Sequence, residues 1–248
     1  MTTSRPLSSR KTAEYGREMI KPQKFTVILD MDGTLLDLNF DDQVWNFALP
    51  MALAAKEGCA LDDARERIAR ILGAARGTLV WYCLDHWERE FGISVHDLEI
   101  ELADLIGIRA GTLEFLIFLQ QHGYRTLLAT NAHPASLERK MVRTGLRGFF
   151  SSLVSAHVLG APKEAPEFWE TLRAQTAFDP EAAMLVDDNL AVLTTARRYG
   201  LRHVFGVCSP SSTGQRKQFD QFASVDRLSE LIPWLAARTQ AQSAAAIP

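Results

Sequence analysis

The chain has 248 residues, 47% of them apolar and 23% charged, with a formal net charge of −3. These fractions are those of soluble globular proteins, so composition excludes a largely disordered or fibrous chain. The weakly negative charge excludes a strong electrostatic attraction to duplex nucleic acid or to an anionic membrane. The length suffices for one large domain that carries an insert.

The chain ends and the cysteines predict a cytoplasmic protein. Residues 1–24 lack the apolar run of a signal peptide, and no run in the sequence is long enough for a transmembrane helix. Cys59, Cys83 and Cys208 lie far apart, which favours reduced thiols. We expect residues 1–24 to be a disordered extension or, alternatively, a transit peptide, and residues 239–248 to be a flexible tail. The oligomeric state stays open.

Four short apolar runs predict the strands of a parallel sheet: Phe25–Leu29, Tyr124–Ala129, Ala183–Val186 and His203–Val207. Helix-like stretches lie between them, among them Leu113–Gln121 and Ala135–Thr144. Strands that alternate with helices indicate an α/β doubly wound core with right-handed crossovers. In such folds the ligand crevice lies at the carboxyl ends of the strands.

The segment 41–108 interrupts this alternation, because its apolar residues recur at helical spacing throughout. Examples are Val44, Phe47, Ala48 and Met51, and then Ala64, Ile68, Ile71 and Leu72. We predict an all-helical cap, inserted after the first strand and lying over the crevice. Residues 25–40 and 109–238 then form the α/β core. The alternative is that these helices simply join that core.

Acidic residues follow the first predicted strand. Asp30 and Asp32 stand in the stretch DMDGTLLD, and two carboxylates at this spacing can both face the crevice. Oxygen ligands of this kind suit Mg²⁺, especially together with phosphate oxygens and water. A solvated turn that contains Asp-Gly accounts for the same residues.

Polar side chains also follow the later strands. Thr130 and Asn131 supply a hydroxyl and an amide that suit phosphoryl oxygens. Asp187 and Asp188 form a second acidic pair, whose members repel unless a cation intervenes. Lys163, in the loop between these strands, suits a phosphate, although a loop lysine is often only solvated.

The ordered set of DMDGT, TN, a loop lysine and VDDN resembles the haloacid dehalogenase superfamily of phosphatases over about residues 25–207. The resemblance implies that Asp30 is the nucleophile, which forms an aspartyl-phosphate, and that Asp32 is the general acid and base. It also implies that Thr130 and Lys163 hold the phosphoryl group and complete the catalytic set.

The same resemblance implies a Mg²⁺ ion bound by the Asp30 carboxylate, the Asp32 backbone carbonyl and an acid of the last motif. Alignment by the strand end favours Asp188, with Asp187 close by. The dehalogenases of the superfamily lack the second aspartate of the first motif, so Asp32 favours phosphate chemistry. The chain departs from the common pattern at Glu164, where proline is usual, and in the compact Asp187–Asp188 pair, which leaves the metal ligand open.

Four stretches resemble the bacterial GMP/IMP nucleotidases within this superfamily: LDMDGTLLDLNFD, WYCLDHW, TNAHP and PKE. The resemblance implies a purine 5′-mononucleotide substrate. We expect Trp81, Tyr82 or His86 to contact the base, and His133 to lie in the crevice. The helical spacing of Trp81, Leu84 and Trp87 favours a core stripe instead, and an N-terminal helix position explains His133 equally well.

Other functions remain open at this stage. The core motifs also suit a phosphatase for small metabolites, such as phosphoglycolate or a sugar phosphate, or a phosphate-shifting mutase. A catalytically silent nucleotide sensor is a third hypothesis, which the presence of Asp30 disfavours.

Overall fold

The structure, a computed structural model, describes residues 25–245, with side chains through residue 240. The predicted extension of residues 1–24 therefore lies outside the described residues. Of the predicted tail, residues 239–245 continue the last helix, and residues 246–248 lie outside the described range.

The core is a parallel sheet whose strands run in the order β3-β2-β1-β4-β5-β6. The strands are β1 (Thr26–Leu29), β2 (Arg125–Thr130), β3 (Ser152–Ser155), β4 (Ala183–Asp187), β5 (His203–Val207) and β6 (Ala223–Val225). The four predicted strands are confirmed as β1, β2, β4 and β5. The sequence analysis missed β3 and β6.

Helices follow or separate these strands. They are α1 (Asn39–Gln43), α2 (Leu49–Glu57), α3 (Leu61–Ala75), α4 (Leu84–Phe91), α5 (Val95–Glu101), α6 (Thr112–Gln121), α7 (Pro134–Thr144), α8 (Ala156–Leu159), α9 (Pro166–Thr176), α10 (Leu190–Tyr199) and α11 (Ile232–Ala245). A π-helical turn, Val44–Ala48, links α1 to α2, and a 3-10 turn, Leu79–Tyr82, precedes α4. None of the helices within residues 25–245 has the length and apolar character needed to cross a bilayer.

Both faces of the sheet are covered. Val27 and Leu29 of β1 pack into one apolar cluster with α6, α7 and α11, whereas Ile28 packs into a second cluster with α9 and α10. Successive residues of a strand point to opposite faces, so a strand buried on both sides is apolar throughout. The predicted doubly wound α/β core is confirmed.

The insert between β1 and α6 has only helical elements, from α1 to a short 3-10 turn that ends at Leu105. The predicted helical cap is thus confirmed as part of the fold, while its exact boundaries stay predictions. Phe40, Leu53 and Trp87 of the insert join the same apolar cluster as Val27 and Leu29. The insert is therefore packed firmly onto one side of the core.

The topology sets the position of the site. Asp30 follows β1, Thr130 ends β2 and Asp187 ends β4. Since β1 lies between β2 and β4 and all three run parallel, these residues meet at one edge of the sheet.

Candidate active site

A buried lysine joins two strand ends. Lys163 Nζ donates hydrogen bonds to Asp30 Oδ1 and, at 2.7 Å, to Asp187 Oδ2. The Lys163 backbone N–H donates to Asn131 Oδ1 at 2.9 Å, and the Trp169 indole donates to the Lys163 carbonyl. Lys163 is therefore buried, and these hydrogen bonds fix its ammonium group between the carboxylates of Asp30 and Asp187.

The electrostatics of this group are dominated by burial. Burial raises the pKa of Asp30 well above its usual value, and Lys163 opposes this. Burial also raises the pKa of Asp187, to about 6. Burial lowers the pKa of Lys163, but the carboxylates of Asp187 and Asp30 outweigh it, and the net pKa is raised. The lysine therefore stays protonated between its two acids.

Three carboxylates lie close enough to share a cation. Asp30, Asp187 and Asp188 each offer an oxygen, and these atoms lie within 4.8 Å of one another. Three buried hard-oxygen donors match the ligand preference of Mg²⁺, and a divalent ion would relieve their mutual repulsion. The donor set therefore fits a magnesium site.

The glycine of the DMDGT stretch brings the first loop against the second acidic pair. Gly33 has a positive φ of +83°, and a Cβ there would lie 2.8 Å from Asp188 Oδ2 and 3.0 Å from Pro210 Cβ. A side chain at this position would be strained and would also displace the carboxylate. Lys217 Nζ holds that carboxylate from the other side, at 2.6 Å from Asp188 Oδ2.

Glu164 connects three segments, a role that the sequence analysis did not foresee. Its carboxylate accepts hydrogen bonds from Tyr82 Oη at 3.0 Å, Asn131 Nδ2 at 2.8 Å and Asn189 Nδ2 at 3.0 Å. These donors belong to the insert, the loop after β2 and the loop after β4. The sequence hinted at this role only by having Glu164 where proline is common. In the structure Glu164 forms a clamp, meaning these three hydrogen bonds, between the insert and the core.

Asp32 is held by a second buried lysine, which the sequence analysis also missed. Lys140 Nζ of α7 lies 2.7 Å from Asp32 Oδ1 and 2.7 Å from Asp41 Oδ1. Burial raises the pKa of Asp41 to about 7, with Asp32 adding to the rise and Lys140 opposing it. Lys140 thus links the predicted acid and base to the first helix of the insert.

A cavity of 1510 Å³ extends from these carboxylates to the insert. Of the predicted site residues, all except His86 line it: Asp30, Asp32, Trp81, Tyr82, Thr130, Asn131, His133, Lys163, Asp187 and Asp188. Its far side is formed by insert side chains that include Trp45, Phe47, Ile68 and Arg76. The cavity therefore combines a charged end with a largely apolar and aromatic end.

The aromatic segment of the insert divides between core and cavity. Trp87 is buried, with its indole donating to the Trp81 carbonyl at 3.0 Å. His86 packs against the Trp87 ring with centroids 4.6 Å apart, and among the described residues it is not part of the cavity lining. Trp81 lies half-buried at the cavity, with the Arg76 guanidinium 5.5 Å from its ring centroid. Trp81 is therefore the tryptophan of this segment that a ligand can reach.

His133 lies in the crevice and also begins a helix. Its Nδ1 accepts the Ala135 N–H at 3.3 Å at the start of α7, and its Nε2 lies 3.7 Å from Asp85 Oδ2. Thr130, which ends β2 shortly before His133, is buried, and its hydroxyl accepts the Ala132 N–H at 3.0 Å. Both expectations for His133, crevice and helix start, thus describe the same residue.

Comparison with known proteins agrees with this geometry. The profile of the haloacid dehalogenase-like hydrolases matches residues 26–200. GMP/IMP nucleotidase YrfG from Escherichia coli strain K12 is 36% identical over 210 residues, which cover 85% of this chain and 95% of that protein. The protein of the same name from Shigella flexneri gives the same figures.

Solved structures share the fold. The HAD phosphatase from Thermococcus onnurineus superposes with a TM-score of 0.73 at 21% identity, over 85% of this chain and 97% of that one. L-2-haloacid dehalogenase from Xanthobacter autotrophicus superposes with a TM-score of 0.56 at 16% identity, over 86% and 99%. One fold thus carries different chemistries. The profile match and the identity over most of the chain show that this protein is an enzyme of the haloacid dehalogenase-like hydrolase family.

Proposed function

We propose that the protein is a Mg²⁺-dependent phosphomonoesterase that hydrolyses purine 5′-mononucleotides, GMP or IMP, through an aspartyl-phosphate. The observation that carries the proposal is the cavity. The residues proposed to bind and attack the phosphate line one end of it, and aromatic side chains of the insert line the other. The nucleotidase name of the relative that is 36% identical supports the choice of substrate. We also propose that the enzyme works in the cytoplasm, as its sequence predicts.

The residues divide the reaction between them. An Asp30 oxygen attacks phosphorus, and Asp32 gives its proton to the leaving nucleoside oxygen. Asp32 then takes a proton from the water that attacks the aspartyl-phosphate, which releases phosphate and restores Asp30. Lys163 balances the charge of Asp30, and the hydroxyl of Thr130, which lines the cavity, binds a phosphoryl oxygen. Lys140 keeps the Asp32 carboxylate in place.

The proposed magnesium ion would be held by Asp30, Asp188 and the Asp32 backbone carbonyl, with Asp187 nearby. Such an ion neutralises charge on phosphoryl oxygens. Both oxygens of Asp187 are already engaged, by Lys163 Nζ and by the Asn189 N–H. Asp188, within the described residues, shows a side-chain bond at Oδ2 alone, to Lys217.

We therefore expect Asp188→Ala to weaken Mg²⁺ binding more than Asp187→Ala. Calorimetric titration of both variants measures the difference. Asp62→Ala, which changes an exposed aspartate of α3, is the control and should bind as the parent does. If Asp187→Ala causes the larger loss, the ligand assignment between the two acids is wrong.

Replacing the cavity-facing tryptophan tests the nucleotide part of the proposal. We expect Trp81→Ala to lower kcat/KM for GMP and IMP by a factor that corresponds to about 1–3 kcal/mol, the usual contribution of a stacked base. Hydrolysis of p-nitrophenyl phosphate, which has no base, should change little. Val80→Ala, at the exposed neighbour, is the matched control. Equal losses on both substrates with a lowered Tm would show that Trp81 serves packing instead.

A phosphate-release screen tests the activity as a whole. The full chain is assayed with purine and pyrimidine nucleotides, sugar phosphates and phosphoglycolate, with and without Mg²⁺. We expect release that requires Mg²⁺ and is fastest with GMP or IMP. Preference for a small ester would favour the metabolite phosphatase, and no release from any ester would contradict the proposal.

A further inference from the structure

A cluster of sulfur and nitrogen donors lies outside the carboxylate site. Cys83, His133 and His157 each offer one ligand atom, and these atoms lie within 4.8 Å of one another. In a tetrahedral zinc site Zn–S is about 2.3 Å and Zn–N about 2.0–2.1 Å, so metal binding would draw these three side chains closer together. Cys83 directly precedes α4 of the insert, whereas His133 and His157 belong to the core.

One of these histidines has an unused buried nitrogen. Within the described residues, His157 Nε2 is enclosed without a hydrogen-bond partner. A buried nitrogen without a partner is destabilising, and a metal ion would satisfy it.

The protonation of both histidines suits a metal. Burial lowers the pKa of His133 and of His157. The His133 ring, whose centroid lies 5.1 Å from that of His157, lowers the pKa of His157 further, and His96 does the same to His133. Neutral imidazole is the form that binds a metal ion, and ligation by either nitrogen of His133 would replace the 3.3 Å bond that its Nδ1 accepts from the Ala135 N–H. Asp85 lies beside the set, with Oδ2 3.7 Å from His133 Nε2, and adds the negative charge that favours a cation.

We propose that Cys83, His133 and His157 form a second metal site, for a zinc-class ion, that joins the helical insert to the α/β core. A rival set of Asp85, His96 and His133 has a similar spacing. In that set, however, Asp85 Oδ1 already pairs with His96 Nε2 at 2.9 Å, and Asp85 is exposed. The set of Cys83, His133 and His157 includes the unpaired Nε2 of His157 and a cysteine sulfur, which is a softer donor than a carboxylate oxygen.

The proposed metal site lies where the insert meets the core, so a bound ion would affect the position of the insert. Tyr82 directly precedes Cys83 and donates to Glu164, so the proposed ion lies next to the existing clamp between insert and core. Three ligands leave the fourth position of a tetrahedral ion open to water. Bound metal should therefore fix the insert over the cavity without entering the carboxylate cluster.

Cobalt spectroscopy on the full chain tests the site directly. Co²⁺ is titrated in the presence of excess Mg²⁺, and we expect a thiolate-to-cobalt charge-transfer band that saturates at one equivalent and is removed by Zn²⁺. Cys83→Ser should abolish the band, and His157→Asn should weaken cobalt binding at least about tenfold. His96→Asn and Asp30→Asn should keep the band, which separates the site from the rival set and from the carboxylates.

A second measurement needs no variant. Saturating Zn²⁺ should slow the alkylation of Cys83 by iodoacetamide at least tenfold, while Cys59, distant in sequence and half-buried, reacts at an unchanged rate. Absence of the cobalt band, its persistence in Cys83→Ser, or equal alkylation of Cys83 with and without Zn²⁺ would each overturn the proposal. Loss of binding in His96→Asn but not in His157→Asn would assign the ion to the rival set and overturn it likewise.

Discussion

Asp30→Asn should abolish phosphate release while the protein stays folded. The amide has the shape of the carboxylate but is neither a nucleophile nor an anionic metal ligand. Its oxygen still accepts a hydrogen bond, and Lys163 keeps Asp187 as an ionic partner, so the buried lysine is not left unpaired. Phosphate release from GMP and thermal unfolding of the same preparation measure the two expectations.

The control for this variant is Asp37→Asn, in the same loop. Asp37 accepts the N–H groups of Asn39 and Ser212 and lies outside the lining of the large cavity. We expect it to keep most of the activity. If Asp30→Asn retained a tenth of the parent rate, only about 1.4 kcal/mol of transition-state stabilisation would have been lost. Such a result would contradict covalent catalysis by Asp30.

Lys140→Met should strongly reduce the free energy of unfolding. The methionine fills a similar space but leaves Asp32 and Asp41 without the cation that both contact. Removing one partner of a buried ion pair costs about 3–5 kcal/mol. Urea denaturation at pH 8 measures the loss. Arg143→Met on the same helix is the control, because the exposed Arg143–Asp104 pair contributes about 0–1 kcal/mol.

The loss of unfolding free energy in Lys140→Met should depend on pH. The pKa of folded Asp41 is about 7, above its ordinary value of 3.8, so the folded state binds this proton more tightly. Ionisation of Asp41 therefore destabilises the fold as the pH rises from about 4 through about 7. Lys140 offsets that charge. Consequently the variant should lose most stability above pH 7 and less at pH 5, and an equal loss at both would contradict the proposed pairing.

The strands that the sequence revealed are those buried on both faces. β1 and β4 are buried along their whole length, and β2 and β5 are buried at most of their positions. β3 reads SLVS and β6 reads ASV, and both lie at edges of the sheet. Ser152 and Ser224 are reached by water at these edges, and buried Ser155 donates to the Ala132 carbonyl. Both segments therefore lack the continuous apolar pattern that predicted the other strands.

The predicted site residues converge because parallel strands end at one edge, and sequence order alone implies this. The sequence does not reveal which charged side chains are buried. Lys140 pairs with Asp32 across 108 positions, and nothing in the charged stretch ERKMVRT separates it from its solvated neighbours. Glu164 likewise gains its role from partners on three distant segments.

Trp81 shows how local geometry overrides a spacing rule. Leu84 and Trp87 of α4 are buried, as the helical spacing predicted. Trp81 instead belongs to the 3-10 turn before α4, so the 3.6-residue period does not extend to it. It lies on the cavity side, and the sequence could not show where the helix began.

The central place of β1 bears on the order of events during synthesis. Asp30 leaves the ribosome early, but Lys163 follows 133 residues later, and β1 acquires its neighbours only when β2 and β4 exist. Until then, burying the Asp30 carboxylate would leave its charge uncompensated. Pairings this remote in sequence form slowly. We therefore expect a nascent chain that ends before Lys163 to keep its first strand accessible to chaperones, and the enzyme to consolidate its core and its catalytic centre in one late step.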